Sequence, residues 1–164
     1  MKNIFTFFVC FVIFNQANAQ VATDSEIYKQ LKSRDSLLFD VGFNHCKIDE
    51  YKNFISDDLE FYHDQGGLST TKGNFLQAIR DNICSNPDKK PLRKLMVGSL
   101  EIFPLYKDSR LYGAIQNGIH DFYIKEPNIK AYKTSSAKFT HVWILENDKW
   151  MLKRVLSYDH KSPE

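Results

Sequence analysis

Four long segments in the second half of the chain alternate apolar and polar residues, as strands with one buried face do. They run from Leu95 to Phe103, from Leu111 to Ile124, from Ala137 to Glu146 and from Trp150 to about Asp159. Asn147-Asp148 predicts a tight turn between the last two, and the polar stretch Lys125 to Ser136 predicts a longer surface connection. A single antiparallel sheet of this size must bury one face, so the rest of the chain has to cover it.

Three helical segments precede these strands and can supply that cover. Apolar residues at helical spacing predict a long amphipathic helix over residues 24–45 and a shorter one around Ile48 to Ile55. A short strand, Leu59 to His63, leads to a third helix that begins at Ser69 or Thr71. Helices first and strands later define an α+β layout. A strongly curled sheet closed by the long N-terminal helix makes a cone with an interior cavity.

The first nineteen residues have the pattern of a secretory signal peptide. Lys2 supplies a short positive region, and Ile4 to Phe14 is an apolar run too short to span a bilayer. Ala17-Asn18-Ala19 matches a small-x-small cleavage site, which predicts a mature chain that begins at Gln20 and is secreted or periplasmic. An uncleaved membrane anchor is the alternative.

Composition excludes two classes of partner for the mature chain. Residues 20–164 are enough for one domain with a hydrophobic core. The formal net charge is +2 and charges of both signs are interspersed, so no basic stripe marks a nucleic-acid-binding face. Nothing after residue 20 is long or apolar enough to span a membrane, and we expect no membrane contact after cleavage.

Two cysteines, Cys46 and Cys84, remain after cleavage, both near predicted helix C-termini. An oxidising compartment permits a disulfide between them. Their positions do not suggest a pair, and we favour two buried thiols that act as small core residues. Without CxxC spacing they are no zinc signature.

Particular stretches of the sequence sharpen the fold prediction. They are Phe43 to Asp49, Asp57 to Asp64, Tyr112 to Phe122 and Asp148 to His160. They resemble, in order, the helix junction, first strand, long central strand and closing hairpin of the nuclear transport factor 2-like superfamily, also called SnoaL-like. The chain looks closest to a secreted branch catalogued as a domain of unknown function.

The resemblance covers nearly the whole mature chain and implies the cone fold. It implies no metal, and a homodimer through the open sheet face. It does not select a function, because this fold hosts isomerases, dehydratases, cyclases, epoxide hydrolases, immunity proteins and transport proteins.

Four of the five histidines fall one apiece on separate predicted strands: His63, His120, His141 and His160. A curved sheet can bring all four to one concavity. By strand alternation His120 shares a face with Gln116, Gly118 and Phe122, and His141 shares one with Trp143. We interpret Gly118 as a residue that leaves space beside His120, which the floor of a pocket would require. The alternative for either histidine is a core residue that donates to a backbone carbonyl.

Several groups are candidates for acid–base chemistry. The candidates are His120, His141, Asp121, and also Asp64 and Asp159, each of which neighbours a histidine in sequence. An Asp beside a His can fix its tautomer, although adjacent strand residues point in opposite directions. None of these carboxylates stands out as the catalytic one.

We therefore predict that the domain holds a small, largely apolar organic ligand in the cone cavity, without a cofactor. The predicted contacts are Tyr62, His63, Gln116, His120, Phe122, His141, Trp143 and His160. The alternative is a cavity enzyme in which a His/Asp general base carries out proton abstraction, isomerisation or dehydration.

Overall fold

The computed structural model describes residues 20–163, so the predicted signal peptide over residues 1–19 lies outside the described residues. Helix α1 spans Glu26–Ser36 and continues as π-helical turns over Leu37–Phe43. It begins at Glu26 because the Ser25 side chain accepts a hydrogen bond from the Tyr28 amide. The second predicted helix is shorter than expected and consists of two 3-10 turns, Ile48–Glu50 and Lys52–Phe54.

The third predicted helix begins where the sequence indicated. The Thr71 side chain accepts from the Asn74 amide, so helix α2 runs over Lys72–Ala78 and continues as π-helical turns over Ile79–Ile83. No helix in residues 20–163 is long and apolar enough to cross a membrane.

Within residues 20–163, seven strands form one curved sheet. They are β1 Ile55–His63, β2 Gly67–Thr70, β3 Lys90–Leu95, β4 Glu101–Lys107, β5 Arg110–Lys125, β6 Tyr132–Glu146 and β7 Lys149–Lys161. The order across the sheet is β2-β1-β7-β6-β5-β3, and β4 pairs with the other half of β5. The helices cover one face, which is the α+β cone predicted from the sequence.

The segment predicted as one strand from Leu95 to Phe103 is two strands. A turn follows β3 at Met96, and Gly98 in it has φ 78°, a conformation that glycine adopts without strain. The chain then continues as β4, which pairs with the preceding half of β5. The break places Arg93 on an edge strand opposite Phe122.

Among the strand pairs of the described residues, one is parallel. Strand β1 lies beside β7 with His63 opposite Ser157, whereas the predicted sheet was antiparallel throughout. The first and last strands therefore end at the same side of the cone, and His63 lies close to His160.

A disulfide joins Cys46 to Cys84, whose Cα atoms are 5.8 Å apart. The preference for two free thiols was therefore wrong. The sequence suggested no pairing because the two residues follow different helices, and only the packing of both helices on the sheet brings those ends together.

Candidate functional site

A cavity of about 490 Å³ lies between the sheet and the two helices. Its wall is mostly aromatic and aliphatic, and its aromatic side chains are Phe39, Phe43, Phe61, Phe75, Phe122 and Phe139. The four strand histidines, His63, His120, His141 and His160, also line it. Two of them sit deep among the aromatic rings and two lie together at the ends of β1 and β7.

His120 is held by a buried ion pair. Arg93 donates from Nε to Nδ1 of His120 at 3.2 Å, and from its two terminal nitrogens to the Asp35 carboxylate at 2.8 and 2.9 Å. Arg93 is 1% and Asp35 3% exposed. Burial raises the pKa of Asp35, although the guanidinium of Arg93 works against that rise.

Aromatic rings and an amide complete the surroundings of Arg93. Its guanidinium carbon lies 3.8 Å from the centre of the Phe39 ring and 5.2 Å from that of Phe139. The Asn44 side chain accepts from the Arg93 amide at 2.7 Å and donates to its carbonyl at 2.8 Å. Asn44 thus takes the place of a further strand at this sheet edge.

His141 is held by a different set of partners. Its Nδ1 lies 3.1 Å from Oε1 of Gln116, which also accepts from Nε1 of Trp143 at 2.8 Å. Nε2 of Gln116 donates to the Leu31 carbonyl in α1 at 3.1 Å. Gln116 and Trp143, predicted to touch a ligand, instead lie behind the wall and orient His141.

Both deep histidines are neutral. Burial, with the nearby Arg93 charge, lowers the pKa of His120 to about 2 and that of His141 to about 3. Nε2 of each ring is buried and has no hydrogen-bond partner within residues 20–163. A buried polar atom without a partner is costly, so these two nitrogens need an explanation.

The other two histidines form a cluster with Asp64. Nδ1 of His160 lies 2.6 Å from Oδ1 of Asp64, and the His160 amide donates to Oδ2 at 3.2 Å. The His63 ring stacks on that of His160 with centroids 4.6 Å apart. Desolvation acts to raise the pKa of Asp64, but the hydrogen bonds that it accepts from the amide and the ring of His160 outweigh it, and the pKa lies below its ordinary value.

This cluster can also be read as a set of metal ligands. Atoms of His63, Asp64 and His160 lie within 4.8 Å of one another. The Asp64–His160 hydrogen bond uses two of the atoms that a cation would need, and Nδ1 of His63 accepts from the Gln65 and Gly66 amides. The observed arrangement is therefore a hydrogen-bonded Asp–His pair stacked on a second imidazole.

Three other predicted site residues lie away from the cavity wall. Tyr62 is 43% exposed and donates to Glu60. Asp159 forms ion pairs with two exposed lysines and Asp121 pairs with Lys133. Gly118 does not open the cavity floor as we interpreted, because the Phe139 ring fills the space where its side chain would lie.

The sequence analysis missed Asp35 and Arg93. A signal was present for Asp35, which lies between Leu31 and Leu38 at helical spacing and so is a charged residue on the apolar face of α1. Arg93 precedes the strand predicted from Leu95, so the sequence analysis assigned it to no strand. Only its assignment to an edge strand shows that alternate residues there point inward.

Solved structures share this fold at low sequence identity. ActVI-ORFA from Streptomyces coelicolor superposes with a TM-score of 0.67 at 12% identity, over 84% of this chain and 98% of its own. A nuclear transport factor 2-like protein from Salmonella enterica superposes with a TM-score of 0.61 at 14% identity, over 83% of this chain and 90% of its own. One of unknown function from Shewanella oneidensis superposes with a TM-score of 0.55 at 17% identity, over 81% of this chain and 96% of its own.

No family model and no curated protein matches this sequence. The structural neighbours nevertheless show that the chain has the nuclear transport factor 2-like fold, as its resemblance predicted. Since that fold hosts many activities, function has to be argued from the cavity.

Proposed function

We propose that this domain binds a small, largely apolar organic molecule in the cavity. The carrying observation is about 490 Å³ of space lined mainly by aromatic and aliphatic side chains, with the four strand histidines among the polar groups of its wall. Small-molecule sites commonly combine an apolar lining with a few polar groups that set orientation.

The test is to fill the cavity without changing its polar groups. Ala78 lines the cavity, whereas its neighbour Gln77 is exposed on the same helix and does not. Small molecules extracted from wild-type protein purified from its native host should be identified by mass spectrometry. We expect Ala78→Trp to lose them and Gln77→Trp to keep them. Equal retention by both variants would contradict binding in the cavity.

A cavity enzyme is a second candidate, supported by the Asp64–His160 pair. Asp64 accepts a hydrogen bond from Nδ1 of His160, so Nε2 is the ring nitrogen of His160 that carries no hydrogen. His160 is part of the cavity wall. A histidine oriented in this way can act as a general base that abstracts a proton from a bound molecule.

Proton exchange tests this second function without a known substrate. The small molecules extracted from the native protein are incubated with fresh protein in heavy water, and deuterium incorporation is followed by mass spectrometry. If the pair is a general base, we expect Asp64→Asn to slow incorporation by about 100-fold or more. The exposed Asp57→Asn serves as control. The absence of exchange with wild-type protein would leave binding as the sole function.

We also propose that the protein works outside the cytoplasm, after cleavage before Gln20. The support is the sequence pattern of residues 1–19, together with a disulfide in the folded domain, since such bonds persist mainly in oxidising compartments. Intact-mass measurement on protein from the native cell envelope or medium should give a chain that begins at Gln20. A mass that retains residues 1–19 would refute cleavage.

A further inference from the structure

The cavity wall contains no carboxylate and no strongly basic side chain. Among the residues of 20–163 that line the cavity, none is a lysine, an arginine, an aspartate or a glutamate. Its polar side chains are imidazoles, hydroxyls and primary amides, all of which form hydrogen bonds with uncharged groups. The kind of ligand that fits therefore depends on where these polar groups lie along the cavity.

The deep part of the wall presents almost only apolar surface. Leu38, Phe139 and Val155 line it and are buried, and Val155 lies opposite His141 across β6 and β7. The two deep histidines add little polarity, because Nε2 of each ring is buried and Nδ1 is engaged by Arg93 or Gln116. The apolar part of a ligand can therefore bury its surface at this end.

Polar side chains of the wall lie together at the other end. His63 and His160 are close to the ends of β1 and β7, and their rings stack with centroids 4.6 Å apart. Ser135 lies opposite Phe122 across β5 and β6, and the Phe122 ring is 5.9 Å from that of His160. Gln65 is exposed in the turn after β1. We call this end, formed by His63, Gln65, Ser135 and His160, the mouth.

Lys90 precedes the wall residue Pro91, but its charge is already used by the fold. Its Nζ donates to the carbonyls of Phe43, Ile83 and Pro91 at 2.7, 3.2 and 3.1 Å. An ammonium has three hydrogens, so none remains for a ligand. All three guanidinium nitrogens of Arg93 are engaged as well. Neither cation is free to neutralise a negatively charged ligand.

A carboxylate lies beside the mouth instead. Asp64 follows His63 in sequence and accepts from Nδ1 of His160 at 2.6 Å. The pKa of Asp64 lies below its ordinary value, so this group is ionised at neutral pH and would balance a proton taken up by His160. Desolvation lowers the pKa of His63, which is therefore neutral near pH 7. The mouth thus offers an anionic ligand no net positive charge.

We propose that the cavity selects uncharged amphiphilic molecules, which insert their apolar part first and keep a hydroxyl, carbonyl or amide group at the mouth. This inference rests on the proposed binding function and specifies the class of ligand and its orientation. The apolar part replaces water along the deep wall, and the polar group forms hydrogen bonds with side chains of the mouth. A carboxylate in the same position would lose part of its hydration beside Asp64 without meeting a free cation, which is costly.

Competition between matched chains tests the preference for an uncharged head group. The fluorescent probe is N-phenyl-1-naphthylamine, which is uncharged and brightens in apolar surroundings. At pH 7.5 it is displaced with 1-decanol, decanamide or decanoate, each below the concentration at which it forms micelles. We expect both uncharged chains to bind at least about tenfold more tightly than decanoate, whose carboxylate is ionised at this pH.

A lysine introduced at the mouth should change this preference. Ser135→Lys places a free ammonium beside the head group, so we expect it to tighten decanoate binding about fivefold or more. Gln65→Lys, at the exposed turn of the mouth, is a second variant with the same expected effect. Thr134→Lys is the control, since Thr134 is exposed on the same strand as Ser135 and does not line the cavity. Binding of 1-decanol should stay within about twofold of wild type in all three variants, which shows that the cavity is intact.

Three outcomes would contradict the inference. Decanoate binding as tight as that of 1-decanol in the wild-type protein would overturn the preference for uncharged head groups alone. An equal response of decanoate to Thr134→Lys and to the two mouth variants would overturn the orientation of the ligand. Failure of the probe and of all three chains to bind the wild-type protein would overturn the proposed function as well.

Discussion

Arg93 donates its Nε–H to Nδ1 of His120 across 3.2 Å, and this contact joins the cavity wall to a buried ion pair. The same guanidinium holds Asp35 on helix α1, so a helix, the edge strand β3 and its neighbour β5 meet at one charged group. His120 is therefore neither a free polar group nor a fully satisfied core histidine. Nδ1 accepts a hydrogen bond from Arg93, whereas Nε2 is buried and has no partner within residues 20–163.

The deep histidines should make the fold sensitive to acid. In the unfolded chain both imidazoles take up protons as the pH falls through about 6.5, whereas in the folded chain the pKa of His120 is about 2 and that of His141 about 3. Between pH 6.5 and 3 the unfolded state binds more protons, so the free energy of unfolding decreases as the pH falls. We expect a loss of roughly 2 kcal/mol per histidine at pH 5.

Urea denaturation at pH 7.5 and pH 5 measures this loss. His141→Phe removes one of the two groups while Oε1 of Gln116 keeps its bond from Trp143. The free energy of unfolding of this variant should change less with pH than that of the wild-type protein. The difference in slope should correspond to the uptake of about one proton fewer on unfolding. An unchanged pH dependence would show that His141 titrates normally in the folded state.

Breaking the buried ion pair of Asp35 and Arg93 should strongly destabilise the fold. Asp35→Asn leaves Arg93 charged and unpaired in the core, and we expect the free energy of unfolding to fall by about 3–5 kcal/mol. The exposed pair of Lys138 and Asp159, at 3.0 Å, provides the matched control. Asp159→Asn should change stability by less than about 1 kcal/mol. Similar losses in the two variants, measured by urea denaturation, would contradict the role assigned to Asp35.

Adding a side chain at Gly118 should disturb the cavity wall. A Cβ there would lie 2.6 Å from the Phe139 ring, which is 1% exposed and has little room to move. We expect Gly118→Ala to lower stability by about 1–3 kcal/mol and to reduce the retention of small molecules extracted from protein purified from its native host.

Gly73 offers the control for this substitution. It lies in helix α2, and the nearest atom to an added Cβ is the Thr71 side-chain oxygen at 3.8 Å. Gly73→Ala should be neutral or stabilise the helix by up to about 1 kcal/mol. If both alanine variants melt at the wild-type temperature, Phe139 is more mobile than the packing implies.

The disulfide should contribute measurably to stability. Cys46 and Cys84 are separated by 38 residues. A disulfide that closes a loop of that length is expected to raise the free energy of unfolding by about 3–4 kcal/mol. Dithiothreitol should lower the melting temperature of the wild-type protein and leave that of Cys84→Ser unchanged. Peptide mapping after alkylation without reductant should find both cysteines unmodified. Alkylation of either in the denatured, unreduced protein would show that the bond does not form.

Local patterns in the sequence were enough to place much of this fold. The alternation of apolar and polar residues located β5, β6 and β7 and assigned His120 and His141 to the inward face. Helical spacing and the cap at Thr71 located α1 and α2. These features depend on residues a few positions apart, so a single sequence carries them in full.

The partners of the site residues were decided by tertiary structure. Sequence proximity suggested His63 with Asp64 and Asp159 with His160, yet Asp64 pairs with His160 because β1 lies parallel to β7. Asp35 and Arg93 are 58 residues apart and meet only when α1 packs over the edge of the sheet.

By itself, therefore, the sequence determined where α1, α2 and strands β5 to β7 lie, and that His120 and His141 occupy the inward face of the sheet. Only the tertiary structure decided which nitrogen of each deep histidine carries a hydrogen, because that depends on whether its neighbour, Arg93 or Gln116, donates or accepts. Those neighbours come from strands whose pairing reflects the packing of the whole chain, and no periodicity within one segment encodes it.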